Sequence, residues 1–175
     1  MKWVERISQL RRQIMQDTQE LAQLEEQYKN YLKQLELRKT YMSSREIIEL
    51  VASYQGITKN MTAIKRWADE GLLGEKIDER EYFPLLVKKQ GNKRFLFPRS
   101  AVYAFLASNN YIFPRFEIID QVKYTRLNDG KKIPAVIISV HLHKDQFEYT
   151  IQEESTGELI HAVREVDLEL VEEDA

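Results

Sequence analysis

The chain contains no cysteine, which excludes disulfides, thiolate nucleophiles and thiolate metal sites without by itself assigning a compartment. Proline and glycine are scarce, four and six in 175 residues, too few for a fibrous or linker-dominated protein. No apolar run approaches the ~20 residues of a membrane span. The opening MKWVERISQLRRQ lacks a continuous apolar stretch and a small-residue cleavage site, so no secretory leader is expected. These absences lead to the expectation of a cytoplasmic protein with no membrane partner. What is present is ordinary for a folded protein: 43% hydrophobic and 31% charged residues. The length fits one or two small domains at roughly 100–200 residues each.

The net charge of −2 is unevenly distributed. Residues 1–42 carry eight basic and six acidic side chains, residues 43–115 twelve and eight, and residues 116–175 six and fourteen. The three stretches are therefore +2, +4 and −8. A basic middle beside an acidic end implies separate tasks, and the middle is where a polyanionic partner is to be sought.

The first glycine is Gly56 and the first proline Pro84, so nothing interrupts a helix before residue 40. Trp3, Ile7, Leu10, Ile14, Asp17, Leu21, Leu24, Tyr28, Tyr31 and Leu35 recur at alternating spacings of four and three, and Asp17 alone is not apolar. A 3.5-residue repeat holds one stripe against a partner helix. The expected oligomerisation residues are Ile7, Leu10, Ile14, Leu21, Leu24, Tyr28, Tyr31 and Leu35. A second copy of the chain is the expected partner. The alternatives are a helix folded back along its own globular parts, or a different protein. A parallel pair would set Arg6 against Arg11, Glu20 against Glu25, and Asp17 against Asp17. An antiparallel pair avoids all three, so antiparallel is favoured.

Met42-Ser43-Ser44-Arg45-Glu46 reads as a helix start, with a serine cap and a glutamate in the first turn. Ile47, Ile48, Leu50 and Val51 form a buried face to about Tyr54, and Gly56 breaks the helix. Asn60 or Thr62 can cap a second helix with Ile64, Trp67 and Ala68 inward, ended by Gly71. Asn60, Thr62, Lys65 and Arg66 then face outward, where they could reach base edges or phosphates; a merely solvated face is the competing explanation. Leu85-Leu86-Val87-Lys88-Lys89 and Lys93-Arg94-Phe95-Leu96-Phe97 read as a β-hairpin around Gln90-Gly91-Asn92. Lys88, Lys89, Lys93 and Arg94 cluster at its tip, and no acidic residue occurs from Tyr82 to Phe116. Such a tip fits a phosphate backbone. Pro98 opens a further helix with Ala101, Val102, Phe105 and Leu106 inward.

This order resembles the winged helix-turn-helix of the MerR and excisionase group, over about residues 41–110. Ala63-Ile64-Lys65-Arg66-Trp67-Ala68-Asp69-Glu70-Gly71-Leu72-Leu73 is similar to that family's recognition-helix signature TIRYYEREGLL. Lys65 stands at its arginine, Trp67 at its second tyrosine, and Gly71-Leu72 match outright. Gly91-Asn92-Lys93-Arg94-Phe95 resembles the family's wing. The chain departs at Arg66 and Ala68, and about ten extra residues, Gly74 to Phe83, separate helix from wing. The resemblance implies double-stranded DNA binding, with the second helix in the major groove and the wing on the backbone. The family's coiled coil is C-terminal, whereas the one expected here is N-terminal.

Beyond a linker at Tyr111–Phe116 the pattern turns to period two. Strands are expected at Gln121–Arg126, Ala135–Leu142, Phe147–Gln152 and Glu158–Val163, with Val136, Ile138, Val140 and Leu142 on one face. Turns are expected at Asn128-Asp129-Gly130, Lys144-Asp145 and Ser155-Thr156-Gly157. Short, evenly spaced strands imply a small closed barrel. Their rhythm, with the closing Val166-Asp167-Leu168-Glu169-Leu170, resembles SH3-like barrels of the Tudor and KOW type. Its acidity points to a protein partner rather than DNA, with a purely solubilising role as the bland alternative.

His141 and His143 share a strand face, with His161 possible nearby, but barrel-surface positions explain them better than a metal site. No phosphate-cradling glycine loop or nucleophile elbow occurs, so neither an enzyme nor a cofactor is expected. The expected fold is α+β in three parts: a coiled-coil helix at 1–40, a winged helix-turn-helix at 41–112 and an SH3-like barrel at 116–172. The expected function is a dimeric DNA-binding regulator of transcription or of a DNA transaction, of bacterial or phage origin. The alternative is a non-enzymatic adaptor that engages a host protein.

Overall fold

The computed structural model describes residues 2–87 and 93–171. It is mixed α and β, with a long N-terminal helix and antiparallel sheets. The chain divides into two compact units, one of residues up to Tyr41 together with Ile77–Leu96, the other of Met42–Lys76 together with residues from Phe97 onward.

In the first unit, helix α1 (Lys2–Arg38) runs 37 residues without a break. Strong helix formers fill it, Glu5 lies in the first turn and Arg38 in the last, each with the sign the helix dipole favours. The Thr40 hydroxyl closes the end by donating to the Leu37 carbonyl at 2.7 Å. No residue of α1 is buried. Its C-terminal turns are tied down: the Leu85 amide donates to Gln34 Oε1 at 3.0 Å, and Arg38 Nε donates to Glu79 Oε1 at 2.8 Å. Arg38 Nη1 also donates to the carbonyl of Tyr41, at 3.1 Å, where strand β1 (Tyr41–Ser43) begins.

Strand β2 (Ile77–Asp78) pairs antiparallel with β3 (Phe95–Pro98), Ile77 opposite Leu96 and Asp78 opposite Phe95. Between them, the one-turn helix α4 (Glu79–Tyr82) is capped by Asp78, whose Oδ1 accepts the Arg80 amide at 2.9 Å. The expected hairpin is corrected here. Leu85, Leu86 and Val87 are not a strand; the Leu86 amide donates to the Phe83 carbonyl at 3.0 Å, closing a turn with Pro84 in the position its fixed φ favours. The ladder partner of Phe95-Leu96 is Ile77-Asp78, from the segment expected to be an insertion. Lys88, Lys89, Gln90, Gly91 and Asn92 lie outside the described residues.

In the second unit, α2 (Ser44–Gln55) starts with a capping box. The Glu46 amide donates to Ser43 Oγ, and the Ser43 amide donates to Glu46 Oε2 at 2.7 Å. Gly56 ends α2 at φ 65°, a left-handed position suited to glycine. Helix α3 (Met61–Asp69) follows four residues later, and α5 (Arg99–Ser108) completes the helical part. Ile47, Val51, Ile64, Trp67, Leu73, Val102, Leu106 and Ile112 form one buried cluster with Met42 and Phe97. Gly74 has φ 79°, and a Cβ placed there would lie 2.9 Å from Ala101 Cβ, so the loop after α3 can lie against α5 only with glycine at that position.

Residues 121–170 form a five-stranded antiparallel sheet in the order β7-β6-β5-β4-β8. Its strands are β4 (Gln121–Thr125), β5 (Lys132–His143), β6 (Gln146–Glu153), β7 (Leu159–Arg164) and β8 (Leu168–Leu170). A 3₁₀ turn (Glu165–Asp167) precedes β8. The core is Phe116, Val122, Tyr124, Ala135, Ile137, Tyr149, Ile151, Val163 and Leu168. Lys144-Asp145 joins β5 to β6 as a two-residue loop with Lys144 at φ 55°.

The expected face of β5 is corrected. Ala135 and Ile137 are buried, Ile138 is 41% exposed, and the register with β6 shifts between Ile137 and Ser139. A bulge inserts one unpaired residue there and exchanges the two faces, so Val140 and Leu142 do not share a continuous face with Val136 and Ile138. Phe147 packs on both cores of this unit, which joins the sheet to the helical part. The Tyr149 hydroxyl donates to Glu165 Oε2 at 2.5 Å and accepts the Arg115 amide at 3.1 Å, fastening the incoming segment to the sheet. Burial first, and the Glu165 hydrogen bond second, raise the Tyr149 pKa well above the ordinary tyrosine value.

Candidate nucleic-acid interface

Helix α3 is the best-defined candidate surface. Asn60, extended at φ −89°, caps it by accepting the Ala63 amide on Oδ1 at 2.9 Å. Ile64 and Trp67, three residues apart, are buried. The Trp67 ring meets Phe105 edge-on and Tyr111 at a tilt, both with centroids 5.1 Å away. This anchoring fixes the rotation of α3 about its axis and leaves Met61, Thr62, Lys65, Arg66 and Asp69 exposed. Asn60 is also exposed, with its carbonyl oxygen engaged in the cap. The cations occupy the middle of the helix, and the acids Asp69 and Glu70 its C-terminal end.

Two features of the α2–α3 region were not anticipated from the sequence. Lys59 Nζ lies 4.8 Å from the centroid of the Tyr111 ring, a cation–π contact in the turn before the helix. No periodicity marks Lys59, and only the return of Tyr111 from beyond α5 brings them together. Arg45, on the first turn of α2, is exposed and pairs with Glu49 at 3.0 Å.

In the first unit, Lys93 and Arg94 are exposed, while Lys88 and Lys89 lie outside the described residues. Arg94 does not stand as an unbalanced charge: its Nη1 is 3.6 Å from Glu79 Oε2, and its carbonyl accepts the Glu79 amide at 2.9 Å. Glu79 is 6% exposed and shares its carboxylate between Arg94 and Arg38. Burying a carboxylate is tolerable only with such partners. In the sequence, Glu79 is one of four acids in a stretch expected to be an insertion, and no local signal separates it from Glu75, Asp78 or Glu81.

The three histidines lie on the sheet. His141 stands opposite Glu148 and His143 opposite Gln146, while His161 Nδ1 is 3.2 Å from Thr150 Oγ1. Among the described residues, no group of three or more histidine or acidic side chains comes together as a metal site would require. Among the same residues, no helix is long and apolar enough to cross a membrane. The expected oligomerisation residues are all exposed along α1, from 64% at Ile14 to 37% at Leu35. Compared with known proteins, the chain matches no family model, no curated protein and no solved structure.

Proposed function

We propose that this protein binds double-stranded DNA through α3 and acts as a regulator of transcription or of another DNA transaction. The observation that carries the reading is the division of α3. One side is locked by Ile64 and Trp67, while Thr62, Lys65 and Arg66 stand exposed on a capped helix. A helix fixed in rotation and offering hydrogen-bond donors is what major-groove readout requires. The α2–Gly56–α3 connection, read as a helix-turn-helix, and the likeness of residues 63–73 to the MerR signature support the same reading. The same resemblance assigns Lys88, Lys89, Lys93 and Arg94 to phosphate contacts, of which Lys93 and Arg94 are exposed in the first unit. The sheet, with a 3₁₀ turn before its last strand, is read as an SH3-like barrel whose stretch, residues 116–175 at −8, serves a protein partner.

The test is binding of the full chain to random duplex DNA, followed by fluorescence anisotropy across a salt series. Affinity is expected to fall steeply between about 50 and 200 mM salt. Lys65→Ala and Arg66→Ala should each flatten the log–log salt slope by about 1. Absence of binding at the lowest salt overturns the DNA reading and favours the adaptor alternative, which the acidic barrel supports.

A further inference from the structure

We propose that α1 pairs with α1 of a second copy, antiparallel and in one particular register, with its axis of symmetry near Gln19. This inference does not depend on DNA binding. Its starting point is an apolar stripe on a helix of which no residue is buried: Trp3 is 81% exposed, Leu21 56% and Tyr28 63%. A stripe spaced at 3.5 residues cannot be covered by its own helix, and it fits one of the same kind.

The direction follows from charge. With Ile7 and Leu10 taken as the two seam positions, Arg6 and Glu20 flank one edge and Arg11 and Glu25 the other. A parallel pair in register sets Arg6 beside Arg11, Glu20 beside Glu25, and Asp17 on Asp17. An antiparallel pair instead brings each edge against its own counterpart.

The register follows from the stripe itself. If residues whose numbers sum to 38 share a layer, Trp3 meets Leu35, Ile7 meets Tyr31, Leu10 meets Tyr28, Ile14 meets Leu24, and Asp17 meets Leu21. Every stripe position of both helices is then used. In four of these five kinds of layer both partners are apolar. The same register sets Arg11 beside Glu25 twice, once on each side of the axis, and lays exposed Val4 along exposed Leu32. Shifting by one heptad in either direction strands two stripe residues of each helix, Tyr31 and Leu35 or Trp3 and Ile7. The register has one weak place. Asp17 faces Leu21, and Glu20 lies near its own copy beside the axis, so the centre is the least stable part of the seam.

The full chain carries no cysteine, so introduced thiols report without interference. Leu10→Cys and Tyr28→Cys are prepared separately, then oxidised alone and as a mixture. Disulfide-linked dimer is expected only in the mixture, because a disulfide needs Cα atoms within about 7 Å. Dimer from either variant alone means a parallel pair and overturns the proposal; no crosslink in any sample overturns it as well. Sedimentation of the unmodified chain should give twice the 20.8 kDa protomer. A monomer at all concentrations overturns the proposal, as does a higher oligomer.

Charge reversal gives a second, independent check. Arg11→Glu should weaken the dimer by about tenfold, since it sets two acidic pairs side by side. Adding Glu25→Arg should restore it. A dimer tightened by Arg11→Glu alone is the parallel result, since Arg6 would then face an acid.

Discussion

Helices α1 and α3 show the two ways an apolar stripe can be used. In α3, nine residues long, Ile64 and Trp67 are driven into a cluster built from α2, α5 and Tyr111. In α1, four times as long, no residue is buried and nine apolar stripe positions face outward. The short helix owes its existence to tertiary packing, since nine residues are marginal in isolation. The long one holds by propensity, length and its last two turns. An apolar face satisfied within the chain contributes to stability; one left open contributes little to the fold of its own chain.

The largest expected effect separates these two roles. Trp67→Ala removes the ring that meets Phe105 and Tyr111, and should cost about 3–5 kcal/mol in urea unfolding of the second unit. Leu21→Ala in α1 should leave that transition in place and act only on self-association. Equal losses of fold stability from the two changes would break the comparison.

Next in size is Gly74→Ala. It combines a left-handed backbone with a Cβ 2.9 Å from Ala101, and should cost about 2–4 kcal/mol. Gly56→Ala has the same backbone requirement but nothing within 4 Å of the added atom, so about 1 kcal/mol is expected. Thermal melts of the two variants sharpen the distinction between a packed loop and an open turn.

A pH effect follows. Tyr149 is held protonated by burial and by Glu165, so its folded pKa is raised. Its contribution is therefore complete below the unfolded tyrosine value of about 10 and is lost as pH rises above it. Tyr54 and Tyr103, raised mainly by burial, act in the same direction. Urea midpoints should fall as pH rises above about 10, less steeply in Tyr149→Phe. The smallest effect is expected from Arg45→Ala. Its i,i+4 pair with Glu49 is exposed on both sides, so about 0.3 kcal/mol is at stake in the same unfolding measurement.

The features of the candidate site legible in the sequence are those decided within a few residues. The Ser43–Glu46 capping box, the left-handed Gly56, the Asn60 cap and the opposition of Ile64 and Trp67 to Lys65 and Arg66 each depend on neighbours within about one helical turn. What escaped was non-local. The ion pair of Arg38 with Glu79 joins residues 41 apart. The contact of Lys59 with Tyr111 also spans a long stretch of chain, and neither leaves a periodic trace. The hairpin expectation failed because Leu85-Leu86-Val87 is as apolar as a strand, and only the Pro84 turn and the Ile77-Asp78 ladder exclude it.

By itself, then, the sequence determined the elements: an unbroken α1 with a 3.5-residue stripe, capped short helices, and alternating strands ended by glycine or tight turns. These follow from backbone propensity and side-chain periodicity, which act over a few residues. The tertiary structure alone decided which strand pairs with β3, where β5 bulges to exchange its faces, and which carboxylate is buried between two arginines. Those choices are made by hydrogen-bond partners and desolvation, and both depend on groups distant in the chain that folding brings together.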